Sequence, residues 1–341
     1  MSSLAGCPGC FYKTGDGWSE SAPCVEGSVR PLPRRRGNGT WRGGEMPPQD
    51  AGEEGNGDLR DADRASGQDT GRDEPRWRAA LREWFVDERA AWAFLTVLPV
   101  PAAAPVWPRV MRAFPWVGGL IGTLCAAVML IASLMGLSPL PAALLAVLGG
   151  LLITGAMHED GLADFADALG GGDRERRLAI MRDPRSGSFA VLALILAVLL
   201  PAAALSTITE RRGLAAALLA LVVAHAVSRA GMVWLMSLLP PARAEGQGAT
   251  AGRPDAGVRR IALFTGLLLA VVLLLPPFGP LAVLSALLAA AWAVMLVATL
   301  ARRLLGGLTG DVAGAAEVLA RSLFLLLLSA AHVLPVFPAP R

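Results

Sequence analysis

From Ala113 to Met157 the chain runs 45 positions without a Lys, Arg, Asp or Glu. A bilayer core is crossed by ~20 apolar residues at ~1.5 Å rise each, so this stretch alone offers two membrane helices. Apolar runs recur to the C-terminus, and the pattern predicts seven spans: Trp116–Leu137, Leu140–Met157, Ser188–Ile208, Gly213–Leu239, Ile261–Leu275, Leu281–Ala301 and Val312–Val336. The fifth is short, the fourth carries His225 and Arg229, and the seventh carries Glu317 and Arg321, so counts of six or eight stay open. Backbone groups in lipid must be satisfied internally, and the runs are too long for barrel strands. The predicted fold class is all-α, a polytopic helical membrane protein.

Upstream the pattern changes. Trp77, Leu81, Trp84 and Phe85 fall at helical spacing between Pro75 and Trp92. Phe94–Pro101 is too short to span and predicts an interfacial or re-entrant segment. Residues 1–75 are rich in Gly, Arg, Asp and Glu with few aliphatics, a composition that cannot offset chain entropy by burial, so a disordered tail is expected. The predicted organisation is a tail over 1–75 and a helical membrane domain over 76–341. The tail lacks the basic and apolar regions of a signal peptide, and Met46 offers an alternative start. Cys7 and Cys10 form a lone C-x-x-C with only Cys24 nearby and no His before His158, too few ligands for a zinc site.

Composition adds little to this picture; charge placement adds more. The chain is 54% hydrophobic, with mean hydropathy +0.49 and formal charge +3, and Lys13 is its single Lys. One set of alternate loops holds Arg174, Arg176, Arg177, Arg182 and Arg185, then Arg243, Arg253, Arg259 and Arg260, then Arg302 and Arg303. The opposite set holds Arg211, Arg212 and the terminal Arg341. Basic loops stay cytoplasmic, so the first set is expected to face the cytoplasm from the inner membrane. Disulfides are not expected in a tail on that side.

The motifs that carry chemistry fall on the same side. In His158-Glu159-Asp160-Gly161-Leu162-Ala163-Asp164-Phe165-Ala166-Asp167, a helix at ~100° per residue puts Asp164 about 40° and Asp167 about 20° from Asp160. Like charges so spaced destabilise a helix unless something offsets them. Mg²⁺ takes oxygen ligands, commonly one or two carboxylates completed by water and phosphate, so Asp160, Asp164 and Asp167 are candidate metal ligands. A solvated acidic turn is the plainer alternative, against which stand the small residues Gly161, Ala163 and Ala166. His158 falls about 160° from Asp160 and reads equally as a general base or as a histidine at a helix end.

Beyond Asp173, Pro184 and Gly187 interrupt the helix, and Ser186 or Ser188 can cap the next one, whose free N–H groups with Arg185 would cradle phosphate. Those arginines equally serve as topology signals. Arg229, with Ser228, lies inside a span, where a charge is usually a site residue with a partner. In Gly306-Gly307-Leu308-Thr309-Gly310-Asp311 the glycine-rich turn lets backbone approach phosphate, and Thr309 or Asp311 can cap the last helix. Glu317 sits about two turns further, inside the membrane. Residues and spacing together reach Mg²⁺-dependent phosphotransfer at a membrane surface.

These residues resemble a known family. The run from His158 to Asp167 is similar to the H-x-D-G-L-A-D-x-x-D signature of cobalamin synthases, the adenosylcobinamide-GDP ribazoletransferases, and Arg177 through Phe189 resembles their R-x-x-I-M-[KR]-D-x-R-x-G-[ST]-[FY] stretch. Phe94–Pro101, Ser228-Arg229, Arg243 with Gly246, and Gly306 to Asp311 with Gly314 and Glu317 match further blocks in order, from about Ala90 onward. Glu159 departs from the pattern, replacing an apolar residue, and residues 1–89 lie outside it. The resemblance implies joining of adenosylcobinamide-GDP to α-ribazole or its 5′-phosphate, with Mg²⁺ and release of GMP. It adds Asp183 and Arg243 to Arg185, Arg229, Thr309, Asp311 and Glu317 as substrate-binding candidates. Membrane lipid is the expected surrounding, nucleic acid is not an expected partner, and an oligomer is allowed. Two alternatives stay open. A CDP-alcohol phosphotransferase also opens its acidic motif with Asp-Gly, but Ala163-Asp164 interrupts that pattern. A transporter would hold its carboxylates near mid-membrane.

Overall fold

The computed structural model describes residues 11–14, 17–20, 75–102, 105–244 and 246–330. The chain divides into two compact units, one taking in 9–21 and 82–341, the other 1–8 and 22–81. Most of the expected tail, with Cys7, Cys10 and Cys24, lies outside the described residues. Within it, β1 (Phe11–Thr14) pairs antiparallel with β2 (Gly17–Glu20).

The rest is helical: α1 (Arg76–Leu95), a 3-10 turn (Arg109–Ala113), α2 (Phe114–Leu134), α3 (Pro139–Thr154), α4 (Met157–Ala168), α5 (Arg174–Ile180), α6 (Ser188–Arg212), α7 (Leu214–Leu238), a single turn at Gln247–Thr250, α8 (Ala256–Phe278), α9 (Pro280–Leu304) and α10 (Gly310–Ala330). Among the described residues six helices, α2 and α6 to α10, are long and apolar enough to cross a membrane, and α3 with α4 makes a seventh if that bent pair is one span. The all-α, polytopic expectation holds.

Two spans differ from the pattern. The fifth is not short, because Asp255 caps α8 by accepting from the N–H groups of Gly257 (2.6 Å) and Val258 (2.9 Å), and the helix runs 23 residues. The second is not straight. α3 has 16 residues and stops where Gly155 (φ 62°) and Ala156 (φ 54°) both turn left-handed, and α4 leaves at 92°. An alanine in that region costs about 1–2 kcal/mol relative to glycine, so the corner is held by what α4 packs against. The last expected span reached Val336, and its final residues lie outside the described chain.

Burial separates the helices. In α7 and α10, 72% of the apolar window is buried, against 33% in α6 and 28% in α8. The outer helices show Leu192, Leu196, Phe264, Leu267, Leu288 and Trp292 to the outside, the face a multi-pass protein offers to lipid. Gly118 and Gly122 of α2 lie flat on α7, where a Cβ on Gly122 would come within 2.7 Å of the Val222 Cα. This is the small-xxx-small approach that lets membrane helices touch backbone to backbone.

At one end of the bundle Arg211 donates to the Ser329 carbonyl (3.3 Å) and Arg212 to that of Pro277 (2.8 Å). At the other end the Arg-bearing loops meet. Arg174 donates to the carbonyls of Leu305 (2.8 Å) and Ala242 (2.9 Å), Arg243 to Leu178 (2.8 Å), and the Ala242 N–H to Leu308 (2.8 Å). The segment after α1 is tied to the end of α3 by the Val97 N–H on the Ile153 carbonyl (2.9 Å). The α1 helix itself is anchored by buried Asp87, which holds Arg109 (3.0 Å) and Arg112 (2.8 Å).

Candidate active site

The site is built where α4 crosses the start of α10. A Cβ on Gly161 would come within 2.8 Å of the Asp311 Cα, and one on Gly314 within 2.9 Å of the His158 carbonyl oxygen, so glycine on both helices permits the crossing. Gly161, Ala163 and Ala166 are buried, as their size suggests. Asp160 remains exposed and Asp164 half-buried. The Thr309 hydroxyl accepts the Val312 N–H (3.2 Å) and so caps α10, which settles the choice between Thr309 and Asp311 as cap. Asp311 instead lies within electrostatic reach of Asp160 and of the Arg243 guanidinium, with its carboxylate hydrogen-bonded to Thr309. Arg243 is in turn within reach of Arg182, and its partial burial beside that second cation lowers its pKa. The structure thus gathers Asp160, Asp311, Arg243 and Arg182.

Asp167 lies on α4 as its spacing predicts, and its partners come from the start of α6. Its oxygens accept the N–H of Gly187 (2.6 Å) and of Ala190 (2.9 Å), so this carboxylate, rather than Ser186 or Ser188, caps α6. Among the described residues no three His, Cys, Asp or Glu side chains converge to hold a metal, so the three aspartates do not form a closed cage. On the same loop Asp183 binds Arg185 through two parallel hydrogen bonds (3.0 and 2.8 Å) and a third from the Arg185 backbone N–H (3.1 Å). These bonds hold the Asp183 carboxyl at about 2 and raise the Arg185 guanidinium above its ordinary value. The Arg185 side chain is 86% exposed.

Arg229 and Glu317 lie elsewhere, both at 0% exposure between α7 and α10. Arg229 Nη1 is bonded to Glu317 and lies 2.9 Å from His225 Nδ1, and the Ser228 hydroxyl donates to Glu317 (2.8 Å). The anion beside Arg229 is therefore internal: Arg229 and Glu317, both expected to meet substrate, face one another in the bundle core. Arg321 joins them, 3.7 Å from Glu317 and paired with Glu159 of α4. Glu159, the departure from the family pattern, is thus the counter-ion of Arg321. Residue reasoning singled out neither Glu159 nor Arg321 as a partner. The signal was charge balance, because two intramembrane arginines beside one intramembrane glutamate require a second anion nearby.

His158 is 2% exposed and points away from the Asp160 face, and its Nε2 has no hydrogen-bond partner among the described residues. It lines a cleft enclosing about 490 Å³ of empty space, part of it open to the outside. Phe94, Trp107 and Phe114 form one aromatic cluster along it, with ring centroids 5.1 to 6.3 Å apart. No residue pattern pointed to this cleft, whose walls come from widely separated segments.

A helical bundle with an acidic, arginine-rimmed end and an apolar exterior defines a multi-pass membrane protein. The family model described as cobalamin-5-phosphate synthase matches residues 87–329, and the chain belongs to that family. It is therefore a transferase of cobalamin biosynthesis, and the transporter and CDP-alcohol phosphotransferase readings are set aside. Among similar proteins is the adenosylcobinamide-GDP ribazoletransferase of Azorhizobium caulinodans, 44% identical over 250 residues, covering 71% of this chain and 94% of that one. The proteins of the same name from Bradyrhizobium diazoefficiens (44% identical; 73% and 95% covered) and Xanthobacter autotrophicus (46%; 70% and 93%) are alike in extent. No solved structure matches the chain.

Proposed function

We propose that this chain joins adenosylcobinamide-GDP to α-ribazole or its 5′-phosphate, releasing GMP, at the cytoplasmic face of the inner membrane. The observation that carries the reading is the crossing that sets Gly161 of α4 on Asp311 of α10, with Asp160 and Arg243 in electrostatic reach of Asp311, where the arginine-bearing loops meet. Carboxylates and guanidiniums side by side suit a diphosphate brought in with a divalent cation. The relatives' name, adenosylcobinamide-GDP ribazoletransferase, suggests the two substrates.

The donor set fits Mg²⁺. Asp160 is exposed and Asp164 half-buried, and two hard oxygen ligands completed by phosphate and water are what this ion prefers. Asp167 is already engaged by two N–H groups, and we assign it to fixing the start of α6. When bound, the ion would neutralise charge on the diphosphate and the leaving GMP. Arg243 and Arg182 would hold phosphate oxygens from the rim, and Arg185 would exchange its Asp183 partner for phosphate, since a guanidinium grips either with two parallel bonds. The ribose hydroxyl gives up its proton to water as its oxygen attacks the phosphorus nearer cobinamide, and GMP departs with the electrons of the broken P–O bond. The test is GMP release from adenosylcobinamide-GDP in membranes, with and without ribazole and Mg²⁺. Release that needs both supports the reading, and release indifferent to ribazole overturns it.

A further inference from the structure

The structure points to the cleft beside His158 as the pocket for the heteroaromatic base of the ribazole, an inference that rests on the reaction proposed above. Its walls are mostly apolar. The Phe94, Trp107 and Phe114 cluster supplies ring faces, and Met232 and Met236 of α7 add polarisable thioethers that pack well against an aromatic ring. From α10 come Gly310, Ala313 and Gly314, which leave a flat strip without projecting side chains. A flat ring fits such a slot.

The polar content of the cleft selects among rings. His158 is all but fully buried, at 2% exposure, and its Nε2 lacks a hydrogen-bond partner among the described residues, which costs free energy unless a ligand supplies one. The Thr309 hydroxyl already accepts the Val312 N–H. A guanine, with several donors and acceptors in its plane, would leave most of them unmatched here. A corrin macrocycle is far wider than the slot between the aromatic cluster and α10. A fused azole, apolar around its rim with one in-plane nitrogen acceptor, matches a single imidazole N–H. That requires the His158 tautomer with its proton on Nε2.

Placement agrees with the chemistry. Leu308, Thr309 and Gly310 line the cleft, and the next residue, Asp311, is the carboxylate within reach of Asp160. On α4, His158 and Asp160 stand two residues apart on nearly opposite faces. The way from the cleft to the acidic site therefore runs along Thr309, Gly310 and Asp311 rather than across α4, and a base held in the cleft carries its ribose along that strip, where the attacking hydroxyl is needed.

The experiment uses the full chain in membrane vesicles and three variants: Ala313→Leu to fill the slot, Met236→Ala to widen it and His158→Gln to alter the polar partner. Equilibrium binding of labelled α-ribazole is measured alongside KM for each substrate and the preference between ribazole and a purine α-riboside. Ala313→Leu is expected to weaken ribazole binding and raise its KM about tenfold or more, the effect of a misplaced methylene or two in an apolar pocket, while KM for adenosylcobinamide-GDP stays within about twofold. Met236→Ala and His158→Gln are expected to change the base preference severalfold. Ribazole binding and base preference matching wild type in all variants that insert overturn the pocket, and its walls are then packing or a lipid-facing crevice. Should Ala313→Leu fail to accumulate, the other two variants decide by the same measurements. GMP release by wild type with variant-insensitive ribazole binding overturns the pocket but keeps the reaction. Ribazole binding that depends on Ala313 without any GMP release keeps the pocket and overturns the reaction. Wild type showing neither overturns both.

Discussion

The molecule holds charge in two contrasting regions. Between α7, α10 and α4, Arg229, Glu317, Arg321 and Glu159 form a buried network with two cations and two anions. At the loop end, Asp160, Asp183 and Arg185 stand on the surface, and Asp311 lies partly exposed beside Arg243. Inside, each ion depends on its partner, because desolvating an unpaired charge costs several kcal/mol. Outside, water and salt substitute for a lost partner, so a charge there is free to exchange it for phosphate or a metal ion. The interior network joins the helices that carry the candidate site, and the proposed chemistry falls to the outer groups.

That contrast is broken most severely at Glu317, which faces both buried arginines. Glu317→Ala should cost about 3–5 kcal/mol of stability, read as a large fall in the Tm of the solubilised protein. A Tm equal to wild type would mean the guanidiniums find another anion. The Glu159–Arg321 pair sharpens the point through a double-mutant cycle. Glu159→Leu or Arg321→Leu alone should each destabilise by about 3 kcal/mol or more, while the double change should return to within about 1 kcal/mol of wild type, because removing both charges also removes the desolvation penalty. Additive losses would show that the two residues do not act as a pair.

At the surface the order reverses, with activity falling and stability unmoved. Asp160→Asn and Asp164→Asn should each lower GMP release about 10²–10³-fold at limiting Mg²⁺ with no change in Tm, a loss on the scale of removing one electrostatic stabiliser. Wild-type turnover in both would remove the metal from this face. Asp167 stands between the two regimes. Asp167→Ala should cost about 1–2 kcal/mol through the lost cap on α6, with Asp167→Asn milder because an amide oxygen still accepts an N–H. Equal loss in both variants would point to its charge instead.

The smallest effect belongs to Asp183 and Arg185. The pair lowers the Asp183 carboxyl from its ordinary 3.8 to about 2. A depressed carboxylate stabilises the loop above 3.8 and loses that contribution as pH falls from there towards 2, so stability should be flat from neutrality down to the ordinary value. The exposed position screens the interaction, and Asp183→Asn should leave the Tm unchanged near neutral pH and in high salt alike. A carbon-13 titration of the Asp183 carboxyl reads the depressed midpoint directly.

Much of this was legible along the chain. The apolar runs defined the spans because a bilayer demands uninterrupted length, and arginine placement put three loops on one side, where the structure brings them together. Helical spacing placed Asp160 and Asp164 on one face, and the small Gly161 marked the close crossing with α10. What each acid meets across that crossing was decided by tertiary structure alone. Periodicity tells which way a side chain leaves its own helix and nothing of what stands opposite. By angle Asp167 lies closer to Asp160 than Asp164 does, yet the start of α6 claims it. Glu159 is paired with a residue 162 positions away. The corner at Gly155 and Ala156 turns a predicted straight span by 92°, because packing on α10 outweighs the local cost of a left-handed alanine. Local pattern fixes length and face through forces that act within a few turns. The choice of partner is a balance of desolvation against pairing, and only the assembled bundle strikes it.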